Sequence, residues 1–258
     1  MTRLLAGGLA ALLVVPLAAC SSDGSSDSGA AGKTITVYAA SSLTGAFTEL
    51  GTQFEENHPG VTVTFNFAGS SDLVAQVQQG APADVLATAD QANMDRATGD
   101  DLVDGDPVPF ATNTLEIAVP PDNPADVQGL DDLASSDVTV VLCAPEVPCG
   151  AAAVEVEKNA GIDIRPVSEE QSVTDVLGKV SSGEADAGLV YVTDVEAAGD
   201  DVTGIEVPDD VNVVNSYPVA VLDGSEQKDL ADQFLELVAG ADGQAVLADF
   251  GFGPPPGS

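Results

Sequence analysis

Residues 34–90 read TITVYAASSLTGAFTELGTQFEENHPGVTVTFNFAGSSDLVAQVQQGAPADVLATAD. The first six (34–39) are β-branched or apolar and bounded by small residues, which predicts a buried strand. Leu43, Ala46, Phe47, Leu50 and Phe54 then recur at helical spacing. That helix must stop before the turn Asn57-His58-Pro59-Gly60. Residues 61–67 form a second strand, Leu73, Val74 and Val77 open a second helix closed by Gly80, and residues 84–89 form a third strand. Asp90 can cap a short helix after it. A βαβαβ rhythm of this kind predicts a mostly parallel sheet covered on both faces.

The rhythm restarts downstream. Residues 114–119 and 138–142 are strand-like, residues 150–159 can form a helix, and Val173, Val176, Leu177 and Val180 mark an amphipathic helix. Residues 187–192 (AGLVYV) form a buried strand, 219–222 are strand-like, and Leu230, Phe234, Leu237 and Val238 mark a long final helix before a Pro-rich end. Residues 108–114 and 215–218 look like crossovers. The reading is therefore of two α/β lobes, residues 33–111 with 217–258 forming lobe 1 and residues 112–216 forming lobe 2.

Composition narrows the function. The chain has 258 residues, 44% hydrophobic and 19% charged, enough apolar material for a packed core. Seven Lys and Arg stand against 42 Asp and Glu, a formal net charge of −35. Phosphate backbones need clustered cations, so nucleic acid is excluded as a partner, and so is attraction to an anionic membrane surface. Three Cys and one His leave no room for a Cys/His zinc cluster, and no Asp-x-Asp-x-Asp-Gly calcium loop is present. The absence of Trp, with 4% aromatics, argues against a sugar- or base-stacking platform.

The N-terminus is an address. Arg3 precedes an apolar run over residues 4–19 that is shorter than the ~20 residues of a membrane-spanning helix. Leu17-Ala18-Ala19-Cys20 places small residues before a cysteine, which resembles the lipobox of bacterial lipoproteins. The resemblance implies a signal peptide over 1–19 and a lipid-modified Cys20 as the mature N-terminus. Residues 21–32, rich in Ser, Gly, Asp and Ala, then read as a flexible tether, with the body working outside the cytoplasmic membrane.

Two serine-rich turns carry the chemistry: Ala40-Ser41-Ser42-Leu43 after the first strand and Ala68-Gly69-Ser70-Ser71-Asp72 after the second. Each puts hydroxyls and free N–H groups at a helix start, where an anion is stabilised. Either turn alone is more often a simple helix cap; two at one sheet edge carry more weight. Asp72, in a first helical turn, complements the helix dipole rather than marking a metal, and His58 reads as an exposed turn residue.

In order along the chain, YAASSL, FAGSSDL, QGAPADVLATAD, VPCG, GEADAGLVY and YPVAV resemble the molybdate-binding proteins of bacterial ABC importers, from about Lys33 to Phe252. The resemblance implies a two-lobed type II periplasmic-binding-protein fold, each lobe a mixed, mostly parallel sheet flanked by helices, with the oxyanion in the cleft. It implies contacts from Ser42 and Ser70, from the backbone N–H of Cys149 and Val173, and from Tyr191. Molybdate or tungstate would be the ligand, an ABC permease the partner and a monomer the state, with no enzymatic activity, no cofactor and no bound metal cation. Cys149 stands where part of the family has a smaller residue, yet only its N–H is required. Export favours oxidation, so Cys143 and Cys149, flanking that loop, are expected to form a disulfide.

Neutral donors suit an ion that needs no proton accepted. Molybdate, tungstate and sulfate are fully deprotonated at neutral pH, whereas phosphate keeps a proton for which an acceptor is normally provided. A protein binding sulfate or another small oxyanion is the main alternative. A hydrolase using Ser42 or Ser70 would need His58 as base and lacks the G-x-S-x-G elbow; a lipoprotein with an interaction role only is a third reading. From the position of Cys20, mass spectrometry of the membrane fraction is expected to find it lipidated and N-terminal. Peptides that retain residues before Cys20 would refute the assignment.

Overall fold

The apolar run that opens the body is strand β1 (Lys33–Ala40), its residues from Val37 to Ala40 all buried. The computed structural model describes residues 32–257; the signal segment, Cys20 and the tether as far as residue 31 lie outside them. β1 joins β2 (Val61–Ala68), β3 (Val85–Ala87), β4 (Val103–Asn113) and, from late in the chain, β10 (Asn215–Leu222) in a sheet of order β2-β1-β3-β10-β4. β1 pairs in parallel with β2 and β3, and β10 runs antiparallel to β3 and β4. The second sheet has β5 (Leu115–Val119), β6 (Val140–Cys143), β7 (Ser168–Glu170), β8 (Ala187–Tyr191) and β9 (Thr203–Glu206), in the order β7-β6-β8-β5-β9. Here β5 is the reversed strand, antiparallel to β8 and β9. Each sheet thus has four strands pointing one way and one reversed strand beside its last member. These are two lobes of one design.

Helices α1 (Thr44–Asn57), α2 (Ser70–Gln78) and α3 (Gln91–Gly99) follow the first three strands as their periodicity predicts. Asp90 caps α3, accepting the Asn93 N–H at 2.9 Å. α4 (Leu130–Leu133), α5 (Pro148–Ala160), α6 (Val173–Ser181) and α7 (Val192–Ala198) flank the second sheet, and α8 (Lys228–Ala239) and α9 (Ala241–Asp249) close the chain. The single long final helix expected from Leu230 onward is two helices, because Gly240 is extended at φ −78°, ψ 176°.

Residues 108–114 and 215–218, read as crossovers, are strand for most of their length, and the chain passes between the two sheets at Thr114 and between Glu206 and Asn215. Both stretches lie largely within β4 and β10, paired from Asn215↔Asn113 to Leu222↔Val103. Pro107, Pro109 and Pro218 hide these strands in the sequence, since proline removes a ladder donor. The structure accommodates them with β4 at the sheet edge and with register shifts beside Pro218. The few aromatic residues are concentrated in the first lobe. Phe47 lies 6.5, 5.7 and 6.0 Å from the rings of Phe65, Phe110 and Phe234.

Cys143 ends β6, Cys149 lies in the first turn of α5, and the two form a disulfide with Cα atoms 5.7 Å apart. Gly150 follows because a Cβ there would meet the Ala144 carbonyl oxygen at 2.0 Å. The bridge closes a short loop, so a loss of about 2 kcal/mol of stability is expected when it is removed. Urea unfolding of the Cys143→Ser/Cys149→Ser double variant measures this; an unchanged midpoint would show that the loop is held without it.

Candidate functional site

The starts of several helices converge where the two lobes face one another. Ser41, Ser42, Gly69, Ser70 and Ala89 of the first lobe meet Val147, Pro148, Cys149, Val173 and Tyr191 of the second, around a small cleft. Ser42 lies in the short 3-10 turn Ser41–Leu43 that leads into α1, and Ser70 is the first residue of α2. α2 starts after Gly69 and α5 after Val147, and neither start has a capping side chain. First-turn N–H groups have no partner within their own helix, so those of Ser70 and Cys149 are left for whatever occupies the cleft. At α6, Ser172 caps only the Asp175 N–H, at 3.2 Å, and the Val173 N–H stays available.

All five positions singled out in the sequence, Ser42, Ser70, Cys149, Val173 and Tyr191, line this one cleft. Four of them are essentially inaccessible: Ser70 1%, Cys149 2%, Val173 3% and Tyr191 1% exposed. Among the described residues, no Lys, Arg, Asp or Glu is in the lining. Lys158 pairs with Glu155, Arg165 with Asp163 and Lys179 with Glu170, all in the second lobe, so its cations are occupied elsewhere. No cluster of three or more His, Cys, Asp or Glu side chains among the described residues is placed to hold a metal cation.

Behind the lining lie residues that sequence reasoning passed over. Asn215 donates to Tyr191 Oη at 2.9 Å, Tyr217 Oη lies 3.1 Å from Ser42 Oγ, and the Ala89 N–H donates to Ser70 Oγ at 3.0 Å. The signal was the YPVAV segment, whose Tyr217 has the residue pattern of a core strand. Burial pushes the Tyr191 and Tyr217 phenols far above their ordinary range, Tyr191 also through neighbouring Tyr217, Asp90 and Asp194. Both therefore remain O–H donors at any physiological pH.

His58 is not a free turn residue. It is half-buried, stacked on Phe54 at 4.0 Å, with its ring nitrogens 2.8 Å from the Phe54 carbonyl oxygen and 3.0 Å from Gln233 Oε1. α1 has 14 residues, and at 1.5 Å each it separates His58 from Ser42 by roughly 20 Å. No imidazole can activate the cleft serines.

Residues 35–253 match the family model of bacterial extracellular solute-binding proteins. The chain belongs to this family. The molybdate-binding protein ModA of Mycobacterium tuberculosis is 46% identical to it over 253 residues, 96% of this chain and 97% of the relative. The periplasmic molybdate-binding protein of Azotobacter vinelandii shares the fold with a TM-score of 0.75 at 20% identity, over 86% of this chain and 99% of its own. The sulfate-binding protein SubI of Mycobacterium tuberculosis H37Rv does so with a TM-score of 0.77 at 19% identity, over 87% and 88%.

Asp194 sits one turn beyond Tyr191 and accepts the Tyr191 N–H at 2.9 Å. Burial outweighs that hydrogen bond and pushes its carboxyl up to about 7. An acid raised in this way favours the folded state while protonated. Its contribution is complete below the ordinary carboxylate range and is lost as pH rises toward about 7. Relative to Asp194→Asn, the wild type is expected to lose on the order of 4 kcal/mol between pH 4 and 8. Paired urea titrations across that range measure the difference; a constant difference would mean that Asp194 is ionised in the fold.

Proposed function

We propose that this protein captures molybdate, and tungstate with it, outside the cytoplasmic membrane and delivers it to an ABC permease. In this reading a lipid on Cys20 holds it to the membrane, and the passages between the sheets near Asn113–Leu115 and Glu206–Asn215 let the lobes close. The observation that carries it is a small cleft between two lobes, lined by hydroxyls and helix-start N–H groups without a cation. The 46% identity to a protein named for molybdate binding supports the choice of ion.

The physics supports a dianion. Hydrogen bonds to a charged group contribute roughly 1.5–3 kcal/mol each, and helix N-termini ~0.3–2 kcal/mol each. Two side-chain hydroxyls from the first lobe, Tyr191 and two backbone N–H groups from the second can together offset the loss of hydration. Sulfate is the second reading, because a sulfate-binding protein shares the fold. Cleft size is what would separate it from the larger molybdate.

Isothermal titration of the soluble body with molybdate, tungstate and sulfate tests this. Molybdate and tungstate are expected to bind well above sulfate; sulfate binding tightest would favour the second reading. Ser42→Ala and Ser70→Ala should each weaken molybdate binding by roughly 1.5–3 kcal/mol, about ten- to a hundredfold. If the serines only cap helices, they should instead cost about 1 kcal/mol of folding stability. Unchanged affinity in both variants would remove them from the site.

A further inference from the structure

The three hydroxyls proposed to contact the oxyanion share one feature: each has a protein group directed at its oxygen. The Ala89 N–H donates to Ser70 Oγ at 3.0 Å. Asn215 Nδ2 donates to Tyr191 Oη at 2.9 Å and to the Ala89 carbonyl oxygen at 2.9 Å. The Ala89 carbonyl oxygen can only accept, so it fixes the amide nitrogen on this side: a flipped amide would set its own oxygen against that carbonyl. Tyr217 Oη lies 3.1 Å from Ser42 Oγ, and a phenol is the stronger donor of that pair. Asn215 and Tyr217 are themselves buried, at 7% and 0% exposure, and neither lines the cleft. A hydroxyl has one proton and two lone pairs. With a donor at its oxygen, as the Ala89 N–H and the Asn215 amide are and as the more acidic Tyr217 phenol is for Ser42, its own proton is free for the cleft, and its capacity to accept from the cleft is reduced.

We propose that Asn215 and Tyr217 are positioning residues that turn the protons of Tyr191 and Ser42 into the cleft, making the site donor-only and hostile to any tetrahedral dianion that carries a proton. The inference rests on the oxyanion-binding reading above. It adds that discrimination against hydrogen-bearing ions is set from β10, behind the lining.

Selenate and arsenate isolate the effect. They are similar in size, and in mildly alkaline buffer both are dianions, but only arsenate keeps a hydrogen. Their affinities are measured by competition against molybdate for the wild type, Tyr217→Phe and Asn215→Asp. In Tyr217→Phe, Ser42 regains a lone pair for an incoming hydrogen. In Asn215→Asp, the carboxylate takes the Tyr191 proton and turns the phenol oxygen toward the cleft. Each variant is expected to shift the arsenate-to-selenate affinity ratio toward arsenate by about tenfold, one hydrogen bond to a charged group. The added charge in Asn215→Asp repels both dianions alike and cancels in the ratio. A merely structural role would weaken both ions equally, and melting temperatures show that each variant is folded. An unchanged ratio in both variants, with molybdate still bound by the wild type, would overturn this proposal alone. A wild type that binds neither molybdate nor selenate would overturn the proposed function and this proposal with it.

Discussion

The lobes approach one another closely at Gly69. A Cβ there would stand 2.0 Å from the Gln171 carbonyl oxygen, inside any permissible contact. Its backbone is ordinary, at φ −62°, ψ 141°, so glycine is needed for room and not for an unusual torsion. The contact joins the turn that starts α2 to the turn that starts α6. Ser70 follows Gly69 in the chain, and Ser172 and Val173 follow Gln171. Two helix starts from different sheets are thereby brought to one small volume. A methyl group at this point would hold the lobes apart and separate the donors that line the cleft.

How much of this was legible in the sequence depends on how local the signal is. β1, α1, β2 and α2 each carry a continuous apolar face, so strand runs and helical spacing could be read directly. Ser42 and Ser70 were found because a helix start announces itself in three or four residues. β4 and β10 were obscured by prolines that break the strand pattern, although the structure places one at an edge and gives the other shifted register. Asn215 was missed because nothing in its neighbours shows that it reaches Tyr191, 24 residues earlier in the chain. The same holds for Tyr217 and Ser42, 175 residues apart. His58 was misjudged as exposed because its stacking on Phe54 depends on how the last turn of α1 ends.

The chain's acidity and its cleft follow different rules. A formal charge of −35 acts over long distances and is screened within about 8 Å at physiological ionic strength. The cleft donors act only at contact. The second-lobe cations could have guided an anion inward, yet they pair with acids away from the cleft. Nothing in the lining itself carries a formal charge; Asp90 and Asp194 act on Tyr191 from outside the lining.

Burial makes this arrangement workable. A desolvated phenol resists ionisation, which keeps Tyr191 and Tyr217 as O–H groups, and a hydrogen bond strengthens as the surrounding dielectric falls. The low-dielectric environment that pushes Asp194 toward neutrality also protects the donors of the cleft. An ionised lysine in the same place would bring stronger attraction but also its own desolvation cost, and it would attract protonated and unprotonated anions alike. Fixed dipoles whose protons are directed from behind distinguish ions by what they carry as well as by their charge. In this cleft that direction comes from the strand β10, which is also hydrogen-bonded on both sides within the first sheet. Asn215 and Tyr217 thus reach Tyr191 and Ser42 from a strand held on both sides.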